Sequence, residues 1–296
     1  MLSLKALADL YGNYSELLNN EVAPVVIGDK EFKTTSGPVI MGTVNLSRDS
    51  TYRESIATGI ESAIRKASIM SAEGAELIDI GAESSTAKAA RVSADDQIRA
   101  LVPIIEELSA RNIAVSAETY EPSVVKSCLQ AGAKVLNFTG AQYQEEILEL
   151  AGESNASVIL CYVGGANVRE ITDLNIDEDP IPGLIDYFAK RIEVAKACGV
   201  TNIIIDPGMG FYYGNLVNPA VRVRHQANVI INSFRLRELG YPICQALPHA
   251  FDLFEDEFRT AEGFFAVVAQ LGGVNLMRTH EVARVHAVLN AMNHLS

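Results

Sequence analysis

Eight short apolar runs, each ending on or beside a polar residue or glycine, recur along this chain with helical periodicity between them. They lie at 39–45, 76–81, 114–119, 134–140, 157–162, 203–206, 242–247 and 275–280. Runs of this length are too short for core helices and read as strands buried on both faces, the condition of a parallel sheet. The intervening segments 56–73, 94–110, 121–131, 143–151, 182–198, 219–239, 260–271 and 281–293 carry apolar residues at helical spacing. Gly74, Gly132, Gly199 and Gly240 follow four of them, where a left-handed residue commonly ends a helix. Strand-helix alternation repeated eight times predicts an α/β fold of the (β/α)8 TIM barrel class.

A length of 296 residues suits one barrel with an N-terminal extension. Residues 1–37 read as a helix and a hairpin turning near Gly28-Asp29, expected to close the amino-terminal end of a barrel spanning 38–296.

The segment Ile203-Ile204-Ile205-Asp206-Pro207-Gly208-Met209-Gly210-Phe211 carries the most chemistry. A dry β-branched strand stops at a carboxylate and a Pro-Gly break, which leaves Asp206 at the sheet's carboxyl edge, where ligands sit in such folds. Asp206 could bind a group that donates hydrogen bonds there, or cap the next helix and satisfy loop amides. The same punctuation places Asn45, Glu118 and Asn137 at strand ends, and Arg278 and His280 close the last run, so that polar groups converge at one mouth.

A formal net charge of −13 argues against nucleic acid as a partner, since phosphate recognition needs clustered Lys and Arg. Cys128, Cys161, Cys198 and Cys244 form no CxxC pair and read as small buried thiols in a reducing compartment. No charged-then-apolar leader is expected in the first twenty residues, and no apolar run approaches the ~18 residues of a membrane span. A cytoplasmic protein without a membrane partner is the expectation. The five histidines fall at no HExxH-type spacing.

The wording Met-Gly-x-Val-Asn, Ile-Asp-Ile-Gly-x-Glu-Ser, Ser-x-Glu-Thr-Tyr, Asn-Phe-Thr-Gly, Asp-Pro-Gly-Met-Gly-Phe and Arg-Thr-His falls in order at successive strand ends. It resembles the dihydropteroate synthases, and most of all their sulfonamide-insensitive members, from about residue 38 onward. The resemblance implies the same barrel, a transferase of folate biosynthesis that joins a pterin-methyl pyrophosphate to para-aminobenzoate or another aryl amine, Mg²⁺ as cofactor, and a homodimer. It also implies roles. Glu118, Asn137, Asp206 and Arg278 would bind the pterin, whose edge offers N–H donors that a buried carboxylate accepts side by side. Asn45 would help hold diphosphate and Mg²⁺, and Arg278 and His280 would act on the anion, making Asn45, Arg278 and His280 the catalytic candidates. Glu118 stands where the family has Asp, so its contact must shift by about one bond length (~1.5 Å).

The chain departs from the family around the second substrate. The family's Ser-Arg-Lys after strand seven is Pro248-His249-Ala250 here, the family's Lys after the Asp-Pro-Gly-Met-Gly-Phe segment falls at Tyr212-Tyr213, and Thr86 replaces the Arg of the second loop. Losing a fixed cation beside a departing anion can cost ~100-fold in rate. Arg48, Arg53, Lys88 and Arg91 are candidate replacements, each also readable as an ordinary solvated loop charge. His249 is a weaker, pH-dependent substitute for the Lys. Tyr162 reads equally as pocket wall or packing residue. Two other readings stay open: another pterin- or folate-dependent transferase on this barrel, and a non-catalytic paralogue that binds a small metabolite.

Overall fold

The computed structural model describes residues 2–33, 35, 37–47, 49, 52–53, 56–84, 89–168, 179–211 and 218–295. Helix α1 (Leu4–Leu18) leads into a hairpin of β1 (Val25–Ile27) and β2 (Lys30–Phe32), with Gly28-Asp29 at its turn. The barrel runs β3 (Val39–Asn45), α2 (Ile60–Ala72), β4 (Leu77–Gly81), α3 (Ala94–Ala110), β5 (Val115–Thr119), α4 (Pro122–Gln130), β6 (Val135–Phe138) and α5 (Gln144–Glu153). It continues through β7 (Ser157–Cys161), α6 (Ile181–Ala197), β8 (Ile203–Asp206), α7 (Pro219–Ile231), β9 (Cys244–Ala246), α8 (Phe251–Phe254), α9 (Ala261–Leu271), β10 (Leu276–Thr279) and α10 (Val282–Leu295).

The eight strands β3 to β10 pair in parallel in the order β8-β7-β6-β5-β4-β3-β10-β9. A parallel bridge between Ile205 and Ile243, with the Ile205 amide donating to the Pro242 carbonyl at 3.0 Å, joins the two outer strands. The ring is therefore closed, and each strand-end residue proposed from the sequence stands on one rim. At the opposite end, where β7 begins, Ser157 Oγ donates to the Val26 carbonyl at 2.7 Å and Val25 and Ile27 are buried.

Alternation along each strand separates two buried environments. Ile78 and Ile80 point out to the helices and are fully buried. The positions between them and their counterparts, Thr43, Asp79, Ser116, Glu118, Asn137, Asp206 and Arg278, share the inner face. A barrel interior is normally filled by branched apolar side chains, so this polar inner layer is a departure that asks for a chemical reason.

Two helices differ from the sequence expectation. The segment expected to be helical from 56 begins its helix at Ile60, because Ile56 bridges Asn45 and the Ala57 amide donates to the Asn45 carbonyl at 2.8 Å. The helix expected over 219–239 divides after Ile231. Asn232 Nδ2 and Ser233 Oγ donate back to the carbonyls of Asn228 and Val229, and the chain tightens into a 3-10 turn over Ser233–Leu239. Gly74, Gly132, Gly199 and Gly240 all take the positive φ expected of helix stops. No helix among the described residues is long and apolar enough to cross a membrane.

Candidate active site

The inner layer is organised around Arg278, in the middle of β10. Its Nε donates to Asp79 Oδ2 at 2.7 Å and its terminal nitrogen to Glu118 Oε2 at 2.5 Å. Asn137 Nδ2 donates to the same Asp79 oxygen at 3.1 Å, and the Cys161 thiol donates to Asn137 Oδ1 at 3.2 Å. Asp206 ends β8 one strand further on, and its Oδ1 accepts the Gly208 amide at 2.7 Å. That tight turn needs Gly208 at φ +77°, which a side chain would disfavour. Glu118, Asn137, Asp206 and Arg278 line one cavity, so all four pterin-site candidates are brought together.

Three carboxylates share this layer with one guanidinium, and they are mostly dry. Burial pushes the Glu118 carboxyl up to about 7; Arg278 opposes the rise, while Asp79 and Asp206 add to it. Burial also raises Asp206, to about 6, against the Gly208 amide and Arg278, which favour its charged form. For Arg278 burial works against the charge, yet Glu118 and Asp79 hold its pKa above the ordinary value. Asp79 Oδ1, Thr43 Oγ1 and Ser116 Oγ are buried with no hydrogen-bond partner among the described residues. Such polar atoms cost free energy unless something pairs with them.

A second cavity shares Arg278 and is lined by His280, His249, Pro248, Phe251 and Gln226. His280 Nδ1 and His249 Nδ1 approach the same oxygen, Glu262 Oε1, at 2.8 and 3.2 Å. The other oxygen, Oε2, accepts the Thr279 hydroxyl and the amides of His280 and Glu281. Burial alone would raise the Glu262 carboxyl, but the two imidazoles hold it well below the usual carboxylate range. The Tyr52 ring stacks on His280, centroids 4.4 Å apart, and its hydroxyl donates to Glu281 at 2.6 Å.

The remaining candidates scatter. Asn45 stands on the same rim at the end of β3, outside the lining of either cavity. Arg53 is exposed, and Arg91 donates to the Tyr120 hydroxyl at 3.0 Å, beside Glu83. Tyr162 packs edge-on against Tyr187, centroids 4.7 Å apart. Arg48, Thr86, Lys88, Tyr212 and Tyr213 lie outside the described residues.

Asp79, Glu262, Tyr52 and the pocket thiol Cys161 received no role from the sequence. Asp79 had a readable signal, since an acid in the middle of a wholly buried strand needs a partner. Glu262 had a weaker one, as the lone charge of an otherwise apolar helix that carries Gln270 as its other long polar side chain.

The model of the pterin binding enzyme family matches residues 41–280. Dihydropteroate synthase of Bacillus subtilis (strain 168) is 27% identical over 268 residues, which cover 86% of this chain and 88% of that protein. Dihydropteroate synthase of Streptococcus pyogenes serotype M3 is 31% identical over 217 residues, 72% of this chain and 76% of its own length. Among solved structures, the Xanthomonas albilineans dihydropteroate synthase with 4-aminobenzoic acid superposes with a TM-score of 0.76 at 25% identity, covering 93% of this chain and 98% of that one.

Proposed function

The chain belongs to the pterin binding enzymes, and we propose that it is a dihydropteroate-synthase-type transferase, joining a pterin-methyl pyrophosphate to an aryl amine such as para-aminobenzoate. One observation carries this reading: Glu118, Asn137, Asp206 and Arg278 line a single cavity at the carboxyl end of the barrel. Asp206 and Asn137 would take the N–H donors of the pterin edge, and Glu118, held by Arg278, would set the depth of the pocket. The unpaired Asp79 and Ser116 oxygens lie in the same layer, so a donor-rich heterocycle entering from above would not be the only polar group there.

The reaction asks an amine lone pair to form a C–N bond at the pterin methylene while the C–O bond to diphosphate breaks. The diphosphate leaves with the electron pair, and the amine loses a proton to solvent. Arg278 and His280 would stabilise the departing charge from the cavity they share. An amide oxygen on an open rim, as at Asn45, fits Mg²⁺, which takes hard oxygen ligands and keeps water and substrate phosphates around it. When bound, Mg²⁺ would neutralise charge on the diphosphate. The same reading carries a homodimer, a cytoplasmic location, and a role for residues 1–37 in closing the barrel's amino-terminal end.

Ala250, where the family has Lys, favours a second reading: a paralogue that binds a pterin or another small metabolite without turnover. Calorimetric titration with 6-hydroxymethyl-dihydropterin pyrophosphate and Mg²⁺, followed by para-aminobenzoate, separates the two. Binding with pyrophosphate release supports the transferase, and binding without release supports the silent paralogue. Absence of binding sinks both pterin readings.

A further inference from the structure

Glu262 differs from the arginine-paired acids around it in how its charge is balanced. Glu281, beside it, accepts from Arg259 Nε at 2.6 Å and lies 3.2 Å from Arg284 Nε. Asp79 and Glu118 share Arg278. Glu262 is fully buried, and its only ion-pair partners among the described residues are His249 and His280. A buried carboxylate without a cation costs several kcal/mol, by general estimates.

The ligand atoms are already gathered. One nitrogen each from His249 and His280 and one oxygen of Glu262 lie within 4.8 Å of one another. A tetrahedral shell around Zn²⁺ places its N and O ligands roughly 3.3 Å apart. The Nδ1–Oε1 separations of 2.8 and 3.2 Å need to open by a few tenths of an ångström, and the two imidazole nitrogens, within 4.8 Å of each other, need to close by at most about 1.5 Å. Two imidazoles and one carboxylate form a donor set that suits zinc and its neighbours better than magnesium. The second carboxylate oxygen is fixed by Thr279 and two backbone amides, the outer contacts that orient a metal-binding carboxylate. Both histidines line the cavity that also holds Arg278, which leaves a fourth position open to an anion or water.

We propose that His249, Glu262 and His280 form a three-ligand site for a divalent transition metal, with its open position facing the second cavity. The site is separate from the Asn45 position and does not depend on the pterin reading. The test uses tag-free full-length chain stripped with a chelator, titrated calorimetrically with ZnCl₂, with Co²⁺ absorption as a second probe. Saturable binding of one Zn²⁺ per chain is expected, with the visible bands of tetrahedral Co²⁺. Affinity should fall about 100-fold or more in His249→Ala and in Glu262→Gln, since loss even of an outer contact can cost 10–100-fold. It should be unchanged in Asp206→Asn and in Cys161→Ser. His249 is partly exposed, so His249→Ala carries the test should Glu262→Gln not fold. No saturable binding would overturn the proposal and leave the imidazoles to neutralise Glu262 by protonation. Equal binding in wild type and the two ligand variants would overturn it too, placing the ion elsewhere.

Discussion

The two cavities that meet at Arg278 are built by different means. The inner one takes its polar groups from the strands β4, β5, β6, β8 and β10, each fixed by a parallel ladder and aimed inward by alternation. The outer one joins a loop residue, His249, a helix residue, Glu262, and a residue just past a strand, His280. In the first, acids are held by a guanidinium and crowd one another; in the second, one acid is held by two imidazoles and a set of hydroxyl and amide donors. The backbone sets the first arrangement, whereas only packing sets the second.

The sharpest way to break this contrast is to remove the shared residue. Arg278→Met would leave Asp79 and Glu118 buried without their cation. Removing one partner of a buried pair typically costs about 3–5 kcal/mol, and urea unfolding should show a loss of that size. A loss below about 1 kcal/mol would mean that the acids are already neutral by proton uptake and that Arg278 contributes little to the fold.

Next in size is the effect on ligand binding. Asp206→Asn keeps the shape and the Gly208 turn but removes the charge that would accept pterin N–H groups. Hydrogen bonds to a charged partner contribute about 1.5–3 kcal/mol, so pterin affinity should fall by roughly 10- to 100-fold in calorimetry. An unchanged affinity would place the pterin elsewhere.

These expectations also show what was legible from the amino-acid order. Asp206, Glu118 and Asn137 could be located because a strand's end fixes the rim on which its last side chain stands, whereas Arg278 was reached through the order of the family's motifs. Asp79 was visible as part of a motif but not as a partner, since nothing local says that a side chain 199 residues away will reach it. Glu262 lies 13 residues from His249 and 18 from His280, at no spacing that a single element imposes. The split of the 219–239 helix was hidden for a related reason: Asn232 and Ser233 suit a helix by period and act against it through their own hydrogen bonds.

Acidity separates the cavities by sign. Glu118 and Asp206, raised to about 7 and about 6, bind protons more tightly in the folded chain than at their ordinary values of 4.5 and 3.8. Their contribution to stability is therefore fully present at acid pH and is lost as pH rises through about 6 to 7. Glu262 runs the other way. Its depressed value gives stability above the ordinary carboxylate range that disappears on acidification. Ligand binding adds a third trend, because only ionised Asp206 accepts two N–H donors. Pterin affinity should fall about tenfold per pH unit below about 6, even as the inner acids favour the fold. Unfolding curves measured over pH 2–8 and binding curves over pH 4–8 check both signs. Glu262→Gln should flatten the acid loss of stability without moving the binding curve, and a shift in the binding curve would tie the two cavities into one titrating unit.

The smallest expected effect lies at the edge of the outer cavity. Ala250 takes φ +45° at the start of α8, and its carbonyl accepts the Leu253 and Phe254 amides at 2.9 and 3.1 Å. A left-handed conformation costs a residue with a Cβ about 1–2 kcal/mol, and glycine avoids that cost while losing about 0.5–1 kcal/mol more chain entropy on folding. Ala250→Gly should thus stabilise the fold by at most about 1.5 kcal/mol, read as a small rise in urea midpoint at constant slope. The same strain bears on the missing Lys. A long side chain at this position would inherit the left-handed backbone, so Ala250→Lys should lower stability slightly whatever charge it restores. If Ala250→Gly lowers the midpoint, the loop relaxes out of that conformation in solution, and His249 is then held toward Glu262 by side-chain contacts alone.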